Sequence, residues 1–453
     1  GKLYPMTTRA QTSSITRDGI RFWPVTDVGR VRTHNEDAFL VDKKLRLFIV
    51  CDGMGGHAAG EVASNLAARA VRESLARERD LIAAFENQSS GVGREDIMRL
   101  LTASVQNACS EVYMEGQRDE SKRGMGTTIA LLLIAGNRGF IAHVGDSRVY
   151  LIRDSSVYQL TEDHSLVNEL LKRGRLTREQ IEQIQHKNAV TRAVGVYESV
   201  DVDTLDFDVL PGDRFLLCTD GLHGYFENAE LAKIFSEYPD EKIAQLLVDL
   251  ANERGGKDNI TAIVVSIPEA QDQGATLAQE LNLRIETLHQ SPLCRFLTYQ
   301  ELVRVLNATS VREVRAGNYV VREGETGDEL FIVLKGKVRI ESAGTLLAEL
   351  GPREHFGEMA LLDRVPRSAD AIASEDSALI VIKRKDFYDL VRQDHSIAVK
   401  LLWSFLMVLA GRLRSTSMEL SEARDLLALR DRETEEGFDE TMLILDEDVE
   451  NHA

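Results

Sequence analysis

Five aspartates in the first 260 residues have the type and the setting expected of ligands to divalent cations. Each lies at the end or turn of an apolar, strand-like run, and the five are Asp37, Asp52, Asp146, Asp220 and Asp258. A carboxylate at the tip of a buried strand is costly unless something compensates its charge. One Asp-Gly pair is a common turn, but five separate strand ends of this kind predict convergence on hard cations. The chemistry to expect at such a site is the binding of divalent metal ions by oxygen ligands.

The elements that must position these aspartates alternate between strands and helices. Four segments have the apolar pattern of strands: 45–50, 139–152, 214–218 and 260–267. Residues 58–78 repeat apolar side chains at helical spacing. The apolar character then disappears over residues 268–274, which predicts a linker after the first domain.

The order and local sequence of these motifs resemble the bacterial type of metal-dependent Ser/Thr protein phosphatase, the protein phosphatase 2C family. The resemblance includes Gly124-Met125-Gly126-Thr127-Thr128, Glu162-Asp163-His164-Ser165 and Thr191-Arg192-Ala193-Val194-Gly195. It covers residues 19–267, after an N-terminal extension of residues 1–18. It implies an α+β fold, an α-β-β-α sandwich, and hydrolysis of phosphoserine and phosphothreonine by a hydroxide that bridges two metal ions.

The resemblance also implies a set of metal ligands that are all oxygen donors: Asp37, Asp52, Gly53, Asp146, Asp220 and Asp258. Asp52 would bridge two ions and Asp37 would act largely through bound waters. Asp146 would hold a third, weaker ion together with Asp220. Oxygen ligands favour Mn²⁺ or Mg²⁺ over zinc, so two and possibly three such ions are expected.

Two further residues are candidates for the catalytic chemistry. Arg32 matches the phosphate-binding arginine of the family, and a guanidinium fork suits two phosphoryl oxygens. The alternative for Arg32 is a surface salt bridge. His57 could protonate the leaving alkoxide as a general acid, or it could cap or orient the helix that follows.

A second domain is predicted over residues 288–430, after a linker and connecting helix at 268–287. Glycines separate short apolar runs between residues 314 and 382, which is typical of a small β-roll. Residues 398–429 then have the pattern of one long helix. The predicted architecture is therefore a sandwich domain, a β-roll and a long C-terminal helix.

The sequence from Phe356 to Ala369 resembles the phosphate-binding cassette of cyclic-nucleotide-binding domains. The implied ligand contacts are Gly357, Glu358, Met359, Ala360, Arg367 and Ser368. Arg367 would neutralise the cyclic phosphate and Glu358 would accept from the ribose hydroxyl, while Gly357 permits close approach of the backbone. The alternative is a roll that has lost its ligand. Ser368 leaves the choice between cAMP and cGMP open, with cAMP favoured.

The long helix and the tail raise two questions of assembly. The apolar face of the helix could pair in a homodimer or pack on its own roll. Residues 431–453 carry ten acidic side chains and one basic one, a net charge of −9, and predict a solvated, disordered tail. Within this tail Thr441 could belong to a phosphothreonine-dependent docking motif or to an inert solubilising segment.

The net charge and the cysteine content limit which partners and which cellular compartment are expected. The 54 basic and 73 acidic residues give a net charge of −19, which argues against a nucleic-acid partner. The four cysteines lack metal-binding spacing and are expected to be reduced in the cytoplasm. The uninterrupted apolar run at 401–411 is shorter than a bilayer span, so no membrane partner is expected.

The sequence therefore predicts a cytoplasmic Ser/Thr phosphatase that acts on phosphoproteins and responds to a cyclic nucleotide. The alternative is a nucleotide-sensing dimeric scaffold whose phosphatase fold is catalytically idle. A second alternative keeps catalysis but makes the roll a structural or dimerising module.

Overall fold

The structure is a computed structural model, and it describes residues 14–15, 19–55, 59–88, 91–172, 189–269 and 273–447. The chain divides into two compact units. Unit 1 is Gly1–Ile285 with Thr298–Asn307, and unit 2 is Glu286–Leu297 with Ala308–Ala453. Each unit is described by itself.

Twelve strands are described in unit 1. In chain order they are β1 (Ser14–Ile15), β2 (Arg21–Asp27), β3 (Asp37–Asp42), β4 (Leu47–Met54), β5 (Gly126–Thr127), β6 (Ile129–Ala135), β7 (Arg138–Val144), β8 (Arg148–Arg153), β9 (Ser156–Gln159), β10 (Asp203–Asp208), β11 (Arg214–Cys218) and β12 (Ile260–Ser266). One sheet has the order β1-β2-β12-β11-β8-β9, and the other has the order β10-β7-β6-β4-β3 with β5 added to β4.

The helices described in unit 1 are α1 (Ala59–Arg77), α2 (Arg79–Glu86), α3 (Arg94–Arg118), α4 (Leu166–Lys172), α5 (Asp220–His223), α6 (Asn228–Glu237) and α7 (Asp240–Glu253). Then come α8 (Gln273–Gln290), which continues into unit 2, and α9 (Tyr299–Asn307). Helices α1 and α3 share one apolar cluster with the β4 and β6 sheet, and α6 and α7 share another with the β11 and β12 sheet.

A third apolar cluster lies between the two sheets and includes Phe48, Leu132, Phe215 and Ile263. Helix, sheet, sheet and helix are therefore stacked in that order, which confirms the predicted α-β-β-α sandwich. The strands in the middle, such as Ile129–Ala135, are buried along their whole length, which explains their unbroken apolar sequence.

Unit 2 contains two four-stranded sheets built from β13 (Thr309–Val314), β14 (Tyr319–Val321), β15 (Glu329–Lys335), β16 (Val338–Ser342), β17 (Thr345–Leu350), β18 (His355–Phe356), β19 (Asp370–Ala373) and β20 (Ser377–Lys383). The sheet orders are β13-β20-β15-β18 and β14-β19-β16-β17. Phe331, Val338, Phe356 and Leu379 belong to the core that the two sheets share. The predicted β-roll is therefore confirmed.

Three helices complete unit 2: α10 (Met359–Leu362), α11 (Arg384–Gln393) and α12 (His395–Glu447). The structure differs from the prediction of a disordered tail, because α12 continues through residues 431–447. This segment contains five glutamates together with Met442, Leu443 and Leu445, residue types that favour helix in spite of the acidic charge. The segment Thr298–Asn307, which the sequence analysis included in the second domain, belongs to unit 1 in the structure.

Candidate functional site

The five aspartates reach the candidate metal centre from different elements of unit 1. In the β3–β4 hairpin, Asp37 lies directly opposite Asp52. Asp220 begins α5 immediately after β11, and Asp258 lies two residues before β12, which pairs with β11. Asp146 follows β7, and its charge acts on Asp52 together with those of Asp37 and Asp220. The structure thus brings the predicted ligands to one edge of the sandwich.

Asp37 is buried and only half satisfied. Its Oδ2 accepts hydrogen bonds from Thr219 Oγ1 at 2.8 Å and from Thr261 Oγ1 at 2.7 Å. Its Oδ1 has no hydrogen-bond partner in the protein. Burial raises the pKa of Asp37 to about 7, against the lowering effect of the two threonine hydroxyls. An ionised Asp37 therefore needs a positive charge nearby.

The neighbouring carboxylates also have raised pKa values, and one of them also has an unpartnered oxygen. Burial and the charges of Asp37 and Asp220 hold the pKa of Asp52 well above its usual range. Burial and the charge of Asp220 raise the pKa of Asp146 to about 7. Burial and the charge of Asp258 raise the pKa of Asp220, whose Oδ1 has no protein partner. Several buried, mutually repelling carboxylates with free oxygens fit hard divalent cations.

The centre is defined here by its donors rather than by ion positions. Within the described ranges, no three carboxylate, imidazole or thiol groups are gathered closely enough to fix where an ion would lie. The backbone at Gly53 is tightly enclosed, because a Cβ there would lie 2.1 Å from Gly60 O and 2.6 Å from Glu36 O. Only glycine fits at this predicted carbonyl ligand.

Arg32 lies beside the centre. Its Nη2 donates to Asp258 Oδ2 at 2.8 Å, and this hydrogen bond raises the pKa of the guanidinium. The side chain of Arg32 is half exposed, so the guanidinium remains within reach of a group that enters from solvent. Its contact is the ion pair named above as the alternative, and its place next to the carboxylates is the one expected of a phosphate-binding arginine. His57 lies outside the described residues.

Asn259 ties the loop around Arg32 to the centre, a role that the sequence left undecided. Its Nδ2 donates to Val28 O and His34 O, both at 2.9 Å, and its Oδ1 accepts from Glu36 N at 2.8 Å. One amide thus fixes the residues on both sides of Arg32. Its position directly after Asp258 was the only signal in the sequence.

A pair of residues that sequence reasoning left without a role supports Asp146. His164 Nδ1 accepts from Gly145 N at 3.1 Å, and His164 Nε2 lies 3.0 Å from Asp203 Oδ2. His143, opposite Asp203 in the sheet, is buried against the His164 ring, and burial lowers the pKa of His143 to about 3. A neutral, buried ring of this kind has a structural role.

A cavity of about 790 Å³ opens beside Asp146 and Asp220. Its walls come from the loop after β9, from α4 and from the segment that links α5 to α6, and they include Asp163, Val167, His223 and Phe226. Asp163 is engaged with Arg148, whose Nε donates to it at 2.8 Å. The cavity gives the carboxylates access to solvent on the side of Asp146.

The second candidate site lies in unit 2, where β18 leads into α10. Gly357 has φ +78°, and a Cβ there would lie 2.7 Å from Arg367 Nη1, so this glycine is required by both conformation and space. Arg367 Nη2 donates to Glu329 O at 3.0 Å, while its buried Nε has no partner. Burial lowers the pKa of Arg367. A half-buried guanidinium with carbonyl partners and a free donor is suited to an anion.

The other residues predicted to contact the nucleotide differ in their solvent exposure and in their hydrogen bonds. Met359 and Ser368 are exposed, whereas Ala360 is buried and its N–H donates to Gly357 O at 3.1 Å. The Ala360 amide is therefore used within the cassette in this conformation. Glu358 is buried, and it accepts from Arg412 of α12, which also donates to His355 O at 3.1 Å.

Arg412 was missed from the sequence, because it lies 54 residues after its partner on a helix judged only by its apolar face. The contact links the long helix to the residue predicted to bind the ribose. It gives the cassette a second guanidinium besides Arg367, one that is about half exposed and forms an ion pair with the buried Glu358 carboxylate.

Comparison with known protein families identifies two domains in the chain. Residues 29–255, half of the chain, match the Protein phosphatase 2C family, and residues 311–394 match the Cyclic nucleotide-binding domain family. The chain belongs to the protein phosphatase 2C family. It is a metal-dependent Ser/Thr phosphatase that carries a cyclic-nucleotide-binding domain after the catalytic domain.

Its relatives include single-domain bacterial phosphatases. It is 38% identical to the serine/threonine phosphatase stp of Listeria innocua over 244 residues, which are 53% of this chain and 93% of that protein. It is 38% identical to the protein phosphatase PhpP of Streptococcus pneumoniae over 249 residues, 54% and 96% of the two chains. The Mycobacterium tuberculosis phosphatase PstP/Ppp matches with a TM-score of 0.48 and 33% identity, over 55% of this chain and 99% of that one.

Proposed function

We propose that this phosphatase removes phosphate from phosphoserine and phosphothreonine in proteins, with Mn²⁺ or Mg²⁺ at the carboxylate centre, under control of a cyclic nucleotide bound in the roll. The observation that carries the catalytic part is the buried set of aspartates with unpartnered oxygens on Asp37 and Asp220. The observation that carries the regulatory part is the half-buried guanidinium of Arg367, whose buried Nε has no protein partner.

The residues of the centre have distinct tasks in this proposal. Asp37, Asp52, Asp220 and Asp258, with the Gly53 carbonyl, hold two ions, and Asp146 with Asp220 holds a third. Bound ions supply an activated water and orient the phosphoryl oxygens. Arg32 binds phosphoryl oxygens and offsets their growing charge, for which its half-exposed guanidinium is well placed. His57 is a candidate proton donor to the serine or threonine leaving oxygen.

Substitution of the carboxylates tests the catalytic proposal against the idle scaffold. Asp52→Asn and Asp220→Asn remove charge from the centre without removing bulk. We expect Mn²⁺-dependent hydrolysis of p-nitrophenyl phosphate by the full chain and at least a hundredfold loss in either variant. A wild-type rate that does not exceed that of Asp52→Asn would favour the scaffold.

The roll is proposed to bind cAMP in preference to cGMP. Arg367 faces the cyclic phosphate and Glu358 the ribose, and the exposed Ser368 is free to contact the base or the phosphate. Binding alone changes no rate, because a ligand shifts an equilibrium only by its different affinity for the two states. A coupling of about 1–3 kcal/mol between nucleotide and catalytic rate is the typical size.

A direct measurement of nucleotide binding tests the proposed ligand of the roll. We expect isothermal titration calorimetry to show cAMP binding to the full chain and at least tenfold weaker binding to Arg367→Ala. A chain that binds neither cAMP nor cGMP would support the alternative in which the roll is a structural module.

We further propose a homodimer through α12. Five apolar side chains recur every seven residues on this helix, and all five are exposed: Val399, Leu406, Leu413, Leu420 and Leu427. Another face of α12 buries Ile397, Leu401 and Phe405 within unit 2. A repeat of seven residues that continues over four heptads is typical of a coiled-coil interface. We therefore propose that a second copy of the chain packs against this face of α12.

The same helix raises the question of a membrane. Within the described residues, His395–Leu427 is long and apolar enough to cross a bilayer by length and composition alone. The uninterrupted run considered in the sequence was shorter because Lys400 and Arg412 flank it. We propose a cytoplasmic protein, since the sevenfold repeat accounts for the exposed apolar residues and all four cysteines are free and buried.

A further inference from the structure

Helix α9 is part of the phosphatase unit although it follows the last strand of that unit by more than thirty residues. It begins at a capping box, in which Thr298 N donates to Glu301 Oε2 at 2.7 Å and Glu301 N donates to Thr298 Oγ1 at 3.3 Å. Val303 is buried in the cluster between the two sheets. The chain enters unit 2 directly after α9, at Ala308.

Both ends of α9 are fixed to unit 1 by polar contacts. At the first end, the Tyr299 ring stacks on Tyr158 with centroids 3.9 Å apart, and Arg153 Nη1 donates to the Tyr299 hydroxyl at 3.2 Å. At the last residue, Asn307 Nδ2 donates to Asp206 O at 2.9 Å and to Asp206 Oδ1 at 3.2 Å. Asn307 Oδ1 accepts from Arg138 at 3.1 Å. Asn307 therefore uses its whole amide on strand β10 and on its neighbour β7.

Strand β10 connects this contact to the metal centre. Asp203 lies three residues before Asp206, about 10 Å along the strand. Its carboxylate is held by His164 Nε2 at 3.0 Å and by Arg192 Nη1 at 2.9 Å. The histidine is in turn bonded to Gly145 twice, through Nδ1 at 3.1 Å and from its own N–H to Gly145 O at 2.8 Å. The next residue is Asp146.

Gly145 leaves Asp146 little freedom. It has φ +106°, and a Cβ at this position would lie 2.6 Å from Thr128 Cγ2. Its conformation is therefore set by the side chains around it, of which His164 is bonded on both the N–H and the carbonyl side. A shift of β10 along its own axis would reach Asp146 through Asp203 and His164.

We propose that Asn307 is a positioning residue for the metal centre, which acts on Asp146 through β10, Asp203 and His164. Because the roll begins one residue later, this contact is also the route by which nucleotide would adjust the weakest ion site. The positioning role rests on the ion site proposed at Asp146, and the regulatory part rests in addition on the proposed binding of nucleotide in the roll. The competing interpretation is that α9 only covers apolar surface.

A matched pair of isosteric substitutions separates the two interpretations. Asn307→Asp replaces the donor to Asp206 with an acceptor. Asn282→Asp is the control, because Asn282 Nδ2 likewise donates to a carboxylate of unit 1, Asp154, at 2.7 Å, but not on β10. The readouts on the full chain are Mn²⁺ binding by calorimetry, the Mn²⁺ concentration for half-maximal phosphatase rate, and melting temperature.

We expect Asn307→Asp to weaken the weakest class of Mn²⁺ site about tenfold and to leave the tighter class within twofold. Asn282→Asp should leave both classes within twofold. If the two variants lower the melting temperature equally and neither changes Mn²⁺ binding, α9 is a passive cover and the proposal is wrong. Asn307→Ala, which introduces no repulsion, provides the same comparison if Asn307→Asp does not fold.

A double-mutant cycle supplies the second test. Asp203→Asn breaks the proposed path at its other end without changing bulk. If the path exists, the effects of Asn307→Asp and Asp203→Asn on the weak Mn²⁺ class are non-additive, whereas additivity within about 0.5 kcal/mol contradicts it. All arms are measured without nucleotide, so failure of nucleotide binding in a separate titration would not be mistaken for failure of this path.

Discussion

At the scale of single residues, the centre is organised by carboxylates that the protein itself does not neutralise. Asp37 receives two threonine hydroxyls on one oxygen and nothing on the other. Asp146 and Asp52 are buried within reach of the same charges. The cluster therefore destabilises the folded chain, and bound divalent ions would offset that cost.

This cost gives a pH dependence. The pKa values of Asp37 and Asp146 are raised from 3.8 to about 7 in the folded protein, so the folded state binds protons more tightly than the unfolded state. The contribution of these two carboxyl groups to the stability of the metal-free protein is fully present below their unfolded pKa and is lost as pH rises through about 7. We expect its melting temperature in EDTA to fall between pH 5 and pH 8.

Saturating Mn²⁺ should remove most of that fall, and Asp37→Asn should reduce it. The measurement is thermal unfolding followed by circular dichroism at several pH values, with and without metal. A metal-free melting temperature that rises over this interval would show that the carboxylates are not the groups in control.

Arg412 gives a second prediction at this scale. Arg412→Ala would leave the buried Glu358 carboxylate without its charged partner. We expect cAMP affinity to fall about tenfold, the value of one hydrogen bond to a charged group. Arg414→Ala is the control, because Arg414 is exposed and donates only to Ala410 O within the helix. Equal affinities in the two variants, measured by calorimetry, would remove Arg412 from the site.

At the scale of elements, the helices determine what each unit can do beyond catalysis. Helix α9 lies on the phosphatase sheets and α12 leaves the roll with an exposed apolar seam. A Cβ added at Gly411 on α12 would have no atom within 4 Å, so the helix tolerates a side chain there.

The dimer proposal predicts a position-dependent effect on mass. Leu413 belongs to the sevenfold repeat, whereas Met418 is equally exposed but lies on the opposite side of the helix. We expect light scattering after gel filtration to give a dimer for wild type and for Met418→Lys, and a monomer for Leu413→Lys. A monomeric wild type would contradict the dimer, and recovery of the chain only with detergent would indicate a membrane-bound helix instead.

The sequence was sufficient for features in which each residue carries its own signal. Asp37 begins β3, Asp52 lies near the end of β4, and Asp146 and Asp220 follow β7 and β11, so each lies at or near a strand end. Strands that are neighbours in a sheet bring such ends together. The Gly357 and Arg367 pattern is equally local. Contacts between residues distant in the sequence could not be predicted from it. Asn307 contacts Asp206, 101 residues away, and His164 contacts Asp203, 39 residues away. Nothing in either local sequence marks its partner.

At the scale of the whole molecule, the chain joins a catalytic unit to a sensor-like unit and passes between them more than once. It leaves unit 1 at Ile285, returns for Thr298–Asn307 and enters unit 2 again at Ala308. This order of segments ties the first strand of the roll to a helix anchored on the phosphatase sheet. We propose that nucleotide bound in the roll changes the phosphatase rate.

The most direct test is the Mn²⁺-dependent rate of the full chain on a phosphothreonine peptide, titrated with cAMP and with cGMP, for wild type and Arg367→Ala. A coupling of about 1–3 kcal/mol corresponds to a change of roughly 5- to 150-fold in the quantity it controls. We predict a saturable change in rate at lower concentrations of cAMP than of cGMP, and its loss in Arg367→Ala. A robust wild-type rate that neither nucleotide alters would contradict the account.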